Sequence, residues 1–215
     1  MSRRATLWGL GLGALGQAAA VRGSFRRPER FWPLMTTALA GSGLLVPAAG
    51  SRRIPSARWL GAGAGLGAAA YSATLAASIL ISRSGLGRRS LDQFQKCTES
   101  APKAVAAALI LPAALGEEWF WREGVISELL ARGHTPGRVL GQATACYALV
   151  QAASLDPLPP AGAVLLGLVT GALRLASGSV WPALAAHVVF SEFTLVAPGL
   201  LSTTHLAGAN TSTEM

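Results

Sequence analysis

"LPAALGEEWFWREGVISELLA", residues 111–131, sets Glu117, Glu118 and Arg122 inside a run of apolar side chains. About 20 apolar residues suffice for a helix to cross a bilayer, and this run continues back through residue 101. An ionisable group at membrane depth is expensive unless it has a partner, and by default it marks function. On a helix Glu118 and Arg122 are four apart on one face, in the favoured acid-before-base order, so each relieves the other's burial. Glu117 lies about 100° round the helix from Glu118 and is left without a cation. A buried carboxylate in that position holds a proton more readily than one in water. That is the property a general base or acid needs near neutral pH. The plainer reading is a structural Glu-Arg clamp with Glu117 reaching toward an interface.

The whole chain fits a membrane setting. Of its 215 residues 51% are hydrophobic and 13% charged, against about 25% charged in soluble domains. Mean hydropathy is +0.43. The net charge of +8 comes mostly from arginines set between apolar runs. Such spacing suits loops facing anionic headgroups, so membrane lipids are the expected partners and nucleic acid is not. Cys97 and Cys146 are too few and too far apart for a disulfide framework or a metal knuckle. Cys146, in an apolar run, reads as a buried thiol acting as a small hydrophobe.

Apolar runs of roughly membrane length fall at 5–21, 31–50, 59–82, 101–131, 138–155, 162–176 and 180–200. The fold class is therefore all-α, a polytopic transmembrane helical bundle of about six to seven membrane segments. The first and sixth runs are short enough to be partial or re-entrant. The basic amino terminus resembles a signal peptide, but the runs after it favour a first membrane helix or an uncleaved signal-anchor. Gly9/Gly13 and Gly61/Gly65 have the small-xxx-small spacing that lets membrane helices approach closely. The polar stretch 83–103 suggests a short interfacial helix opening at a Ser90/Gln93 capping box. Ser100 and Pro102 would then open the next long helix. Prolines mark 154–162 as a turn, and 176–182 forms another. Lys and Arg divide almost evenly between the two faces, so the positive-inside rule fixes no orientation. Three regions follow: N-terminal helices and an interfacial linker over 1–100, a core bundle over 101–200, and a polar tail over 201–215.

Two further polar points sit in apolar runs. In "SVWPALAAHVVFSEF" (179–193), His187 and Ser191 are four apart and share a helical face. Together they could hold a carbonyl oxygen as charge develops on it, although a lone membrane histidine is often just an interhelical hydrogen bond. In "CYALVQAASL" (146–155), Gln151 can donate and accept hydrogen bonds but cannot carry a proton. Spacing alone reads it as a group joining helices. Glu128 and Arg132, near a helix end, read as a solvated pair.

Taken together, these points resemble the CPBP family of intramembrane proteases, which includes the CAAX prenyl-protein endoproteases. Glu117, Glu118 and Arg122 match the family's Glu-Glu-x-x-x-Arg. Tyr147 and Gln151 align with its motif of an aromatic residue, three others and His. His187 and Ser191 align with His-x-x-x-Asn, and the resemblance spans roughly 101–200. It implies a glutamic-type intramembrane endopeptidase without cofactor or metal. Glu117 would be the base, Glu118 with Arg122 would fix the helix, Gln151 would orient water, and His187 with Ser191 would form the oxyanion site. The expected substrate is a membrane-anchored protein or peptide cut near its carboxy terminus, a prenylated tail or a sorting signal.

Two departures matter. Glutamine stands at 151 where the family has histidine, and serine stands at 191 where it has asparagine. Glu117 would then take the water's proton without a second acceptor. A catalytically silent relative, acting as a membrane binding or immunity-type protein, is therefore the main alternative. A metal enzyme using Glu117, Glu118 and His187 is a third reading, separable by chelator sensitivity, although no His-Glu-x-x-His helix is present. The Ala-, Gly- and Arg-rich composition suggests a GC-rich bacterium, and hence its inner membrane.

Overall fold

The computed structural model describes residues 3–46 and 55–196, so the polar tail expected over 201–215 lies outside the described residues. The fold is all-α, with no strand among the described residues. Helix α1 spans Arg3–Arg26, α2 Phe31–Leu44, α3 Ala57–Ile81 and α4 Gly85–Thr98. Helix α5, Lys103–Glu118, passes without a break through a wider π-helical stretch, Trp119–Val125, into α6, Ile126–Ala131. Pro136–Gln151 forms α7, Leu158–Ser177 α8, and Trp181–Ser191 α9.

Among the described residues, three segments are long and apolar enough to cross a membrane: Ala57–Ile81, the continuous Lys103–Ala131, and Leu158–Ser177. The run at 162–176, expected to be partial, is instead a 20-residue helix, because Pro159 and Pro160 sit in its first turn, where a missing N–H costs nothing. The first run also extends, to 24 residues or about 36 Å. Gln17 and its glycines keep α1 less apolar than the other long helices. By contrast α2, with 14 residues, reaches only about 21 Å, short of a hydrocarbon core. Outward-facing leucines such as Leu12, Leu15, Leu66, Leu80 and Leu149 are exposed. A surface this apolar belongs in lipid. The chain is an integral membrane protein.

Close backbone approaches set the packing. Helix α2 lies against α1 and α5, α3 against α9, and α8 between α7 and α9. A Cβ at Gly63 or Gly67 would run into the carbonyls of Pro182 and Ala186, whereas Gly61 and Gly65 face open space. The contact therefore uses the other phase of the glycine run from the one expected. Gly9 and Gly13 do serve as contacts, against Leu45 and Phe120.

Helix α4 begins six residues before the expected Ser90. Ser84 is its N-cap and accepts from the Gly87 N–H at 3.0 Å, while Ser90 is buried in mid-helix. Ser100 hydrogen-bonds back to Cys97, leaving Pro102 as the residue preceding α5. Arg88, Arg89 and Lys96 of α4 are exposed, while Leu91 and Cys97 are buried. Burial pushes the Cys97 thiol up to about 11. Cys146, expected inside, is exposed on α7. Its neighbours Tyr147 and Val150 take the inward face of that helix, so a thiol at 146 turns out. Glu128 and Arg132 form the expected surface pair at 3.0 Å.

Candidate active site

The site is built where α5, α7, α8 and α9 meet. Gly116, one residue before the carboxylate pair, packs directly on the Leu39 and Ala40 backbone of α2, so α5 is held close at this level. Immediately beyond Glu118 the helix widens into the π-helical stretch, a form that occurs mostly as short insertions and often at functional sites. Both carboxylates and Arg122 are buried.

Arg122 Nε donates to Glu118 Oε2 at 3.1 Å and to Thr170 Oγ1 of α8 at 2.7 Å. Its Nη1 and Nη2 atoms are buried without a hydrogen-bond partner among the described residues, and the guanidinium carbon lies 5.4 Å from the Tyr147 ring centroid. The aromatic face thus carries part of the charge compensation that a second acceptor would otherwise supply. Glu118 Oε1 lies 2.9 Å from His187 Nδ1 on α9. Both oxygens of Glu118 are therefore engaged, one by a cation and one by an imidazole.

Glu117 is arranged differently. Its Oε2 is 3.6 Å from His187 Nε2, and Oε1 has no hydrogen-bond partner among the described residues. The Tyr147 side chain reaches the same carboxyl group. A cavity of about 290 Å³ is lined by Glu117, Tyr147, Gln151, His187 and Ser191, and neither Glu118 nor Arg122 lines it. Three helices thus bring four of the six sequence-derived candidates to one space, with Glu118 and Arg122 just behind them. The rest of the lining is largely apolar, including Phe31, Trp32, Phe94 and Phe190. Gln151 closes α7 beside a tight turn in which Leu155 adopts a left-handed conformation, φ 59°. Arg22 of α1 donates to the Ser154 carbonyl of that turn at 3.4 Å.

Chemically, the arrangement offers a carboxyl group with one oxygen unpaired among the described residues, a carboxamide, an imidazole and a hydroxyl around one space. Among the described residues no group of His, Cys, Asp and Glu side chains is disposed to hold a metal ion, and Glu118 is already committed to Arg122 and His187.

Two buried polar contacts went unread in the sequence. Glu123, next to Arg122, pairs with Arg174 of α8 at 3.3 Å, and both are largely buried. Gln17 of α1 accepts from the Trp121 indole at 3.0 Å and donates to Ser42 at 2.7 Å. These contacts brace the stretch that carries Arg122 from two sides. The signals available were an arginine in the apolar run 162–176 and a glutamine in the apolar run 5–21.

Comparison with known proteins then bears on this arrangement. Residues 99–192 match the family model described as type II CAAX prenyl endopeptidase Rce1-like. No curated protein and no solved structure matches the chain.

Proposed function

From the match of residues 99–192 to the family model described as type II CAAX prenyl endopeptidase Rce1-like, we propose that the chain is a glutamic-type intramembrane endopeptidase. That match supports protease activity on membrane-associated proteins. The observation that supports the finer mechanism is the shared cavity: Glu117, Gln151, His187 and Ser191 line it from three helices.

In this reading a water molecule sits between Glu117 and Gln151. The carboxylate takes its proton as the oxygen attacks the peptide carbonyl carbon, and the carboxamide orients it. The carbonyl π pair moves onto oxygen, where the Ser191 hydroxyl donates to it. Collapse breaks the C–N bond, and the leaving nitrogen takes up the proton. Glu118 and Arg122 act one layer back, holding the helix and keeping a charged carboxylate against His187. The apolar lining suits a membrane-anchored tail, prenylated or of the sorting-signal kind, cut near its carboxy terminus. The composition fits a bacterial inner membrane.

The experiment is a cleavage assay of purified, reconstituted protein on a membrane-anchored peptide, comparing wild type with Glu117→Ala. Wild-type fragments that disappear in the variant support the reading. One observation favours a silent relative instead, the replacement of the motif histidine by Gln151. Wild type that cleaves neither prenylated nor sorting-signal tails would establish that alternative.

A further inference from the structure

We propose that His187 is the second proton acceptor of the site, working in relay with Glu117 and held in the required tautomer by Glu118. This rests on the hydrolytic reading above and assigns the place left by Gln151. Glu118 is paired with Arg122 at 3.1 Å, so its carboxylate is an acceptor only. His187 Nδ1 lies 2.9 Å from Glu118 Oε1, and at that distance the ring nitrogen must be the donor. A neutral ring that carries its proton on Nδ1 presents a bare lone pair at Nε2. That lone pair faces Glu117 Oε2 at 3.6 Å. The gap is longer than a hydrogen bond, but it is closed by a small side-chain rotation or by one water, and resting sites often tighten in this way.

Among the described residues, the charged groups that act on the ring are Glu117 and Glu118 of α5 and Arg122 in the π-helical stretch, while Tyr147 of α7 bonds to Glu117. Carboxylate, imidazole and second carboxylate thus form a line in which the far carboxylate orients the ring and the near one exchanges a proton with it. The chemistry balances as follows. Water gives one proton to Glu117 as its oxygen bonds to the carbonyl carbon. Glu117 passes that proton to Nε2 and is again a carboxylate. The imidazolium Nε2–H now donates toward the oxyanion beside Ser191. As the C–N bond breaks, that proton moves to the leaving nitrogen and His187 returns to neutral. The second water proton leaves through Glu117 as the new carboxylic acid ionises.

The test has two arms. Labelled-histidine 15N NMR of the purified protein in detergent follows the ring through a pH titration. His187 is identified among the chain's 3 histidines by its loss in His187→Gln. The relay requires that the proton released from the ring come from Nε2, leaving Nδ1–H. A neutral ring protonated on Nε2, or a ring that never deprotonates, overturns it. The second arm is cleavage by His187→Gln, whose carboxamide keeps an N–H donor but accepts no mobile proton. The relay predicts a rate lower by about 100-fold or more; a variant close to wild type overturns it. Wild type that cleaves nothing sinks the protease reading, while the titration still decides the tautomer.

Discussion

Replacing Arg122 with alanine should unfold the site before it touches the chemistry. Arg122 is fully buried and, among the described residues, is the cation paired with Glu118, whose other oxygen meets the His187 ring. Truncating it removes that ion pair, the 2.7 Å bond to Thr170 and the cation–π contact with Tyr147. Leaving one member of a buried pair uncompensated costs about 3–5 kcal/mol. The Thr170 bond adds about 1 kcal/mol. The terms share one network and do not simply sum. For a chain of this size ~3–5 kcal/mol corresponds to a drop in Tm of about 6–20 °C. The assay is thermal unfolding in a fixed detergent, read by tryptophan fluorescence, beside Glu117→Gln as control. Glu117→Gln should stay within a few degrees of wild type, because an amide of the same size keeps the Tyr147 contact and Oε1 has no partner among the described residues to lose. A double variant, Glu118→Gln with Arg122→Met, should be more stable than Arg122→Ala because no stranded charge remains. Equal melting temperatures for Arg122→Ala and Glu117→Gln would refute the division between a structural pair and a free carboxylate.

The helix contact between α3 and α9 predicts a phase-dependent glycine scan. Gly63→Val or Gly67→Val should destabilise by roughly 1–3 kcal/mol by forcing the helices apart, whereas Gly65→Ala, facing open space, should be neutral or gain up to about 1 kcal/mol; the same melting assay reads both. Leu155 is held at φ 59° with its side chain exposed, so Leu155→Gly should stabilise the turn after Gln151 by about 1 kcal/mol. A lower Tm for that variant would show that the leucine side chain contributes to the fold through lipid contact.

What the sequence revealed and what it hid divide along physical lines. The pairing of Glu118 with Arg122 was legible because helix geometry alone brings residues four apart together. The boundaries of α3 were approachable because a long apolar run defines them, whereas the start of α8 was not, because the prolines read as a turn lie in its first turn. The glycine phase was not legible. Glycines at alternate positions satisfy small-xxx-small spacing in two registers, and only the partner helix selects Gly63 and Gly67. Glu123 and Arg174 lie on different helices, so no local spacing links them. The bond between Gln17 and Trp121 is equally invisible, because it depends on where α1 docks. The position of His187 between two carboxylates could not be read either. Sequence offered it as a neighbour of Ser191 or as a metal ligand beside Glu117 and Glu118, and its ring contacts arise only when α9 packs on α5.

The central claim is that Glu117 and Gln151 hold an attacking water across one cavity, and the cleavage rate of Gln151→His tests it most directly. Both side chains line that cavity. Histidine at 151 would keep the water's hydrogen bond and add a proton acceptor from α7. Wild type, Gln151→His and Glu117→Gln would be compared on one membrane-anchored peptide in liposomes, matched for folded protein, with fragments identified by mass. The account predicts that Gln151→His cleaves faster than wild type at the same bond and that Glu117→Gln is slower than wild type by about 100-fold or more. A Gln151→His rate clearly below that of an active wild type, with Glu117→Gln still cleaving, would contradict it.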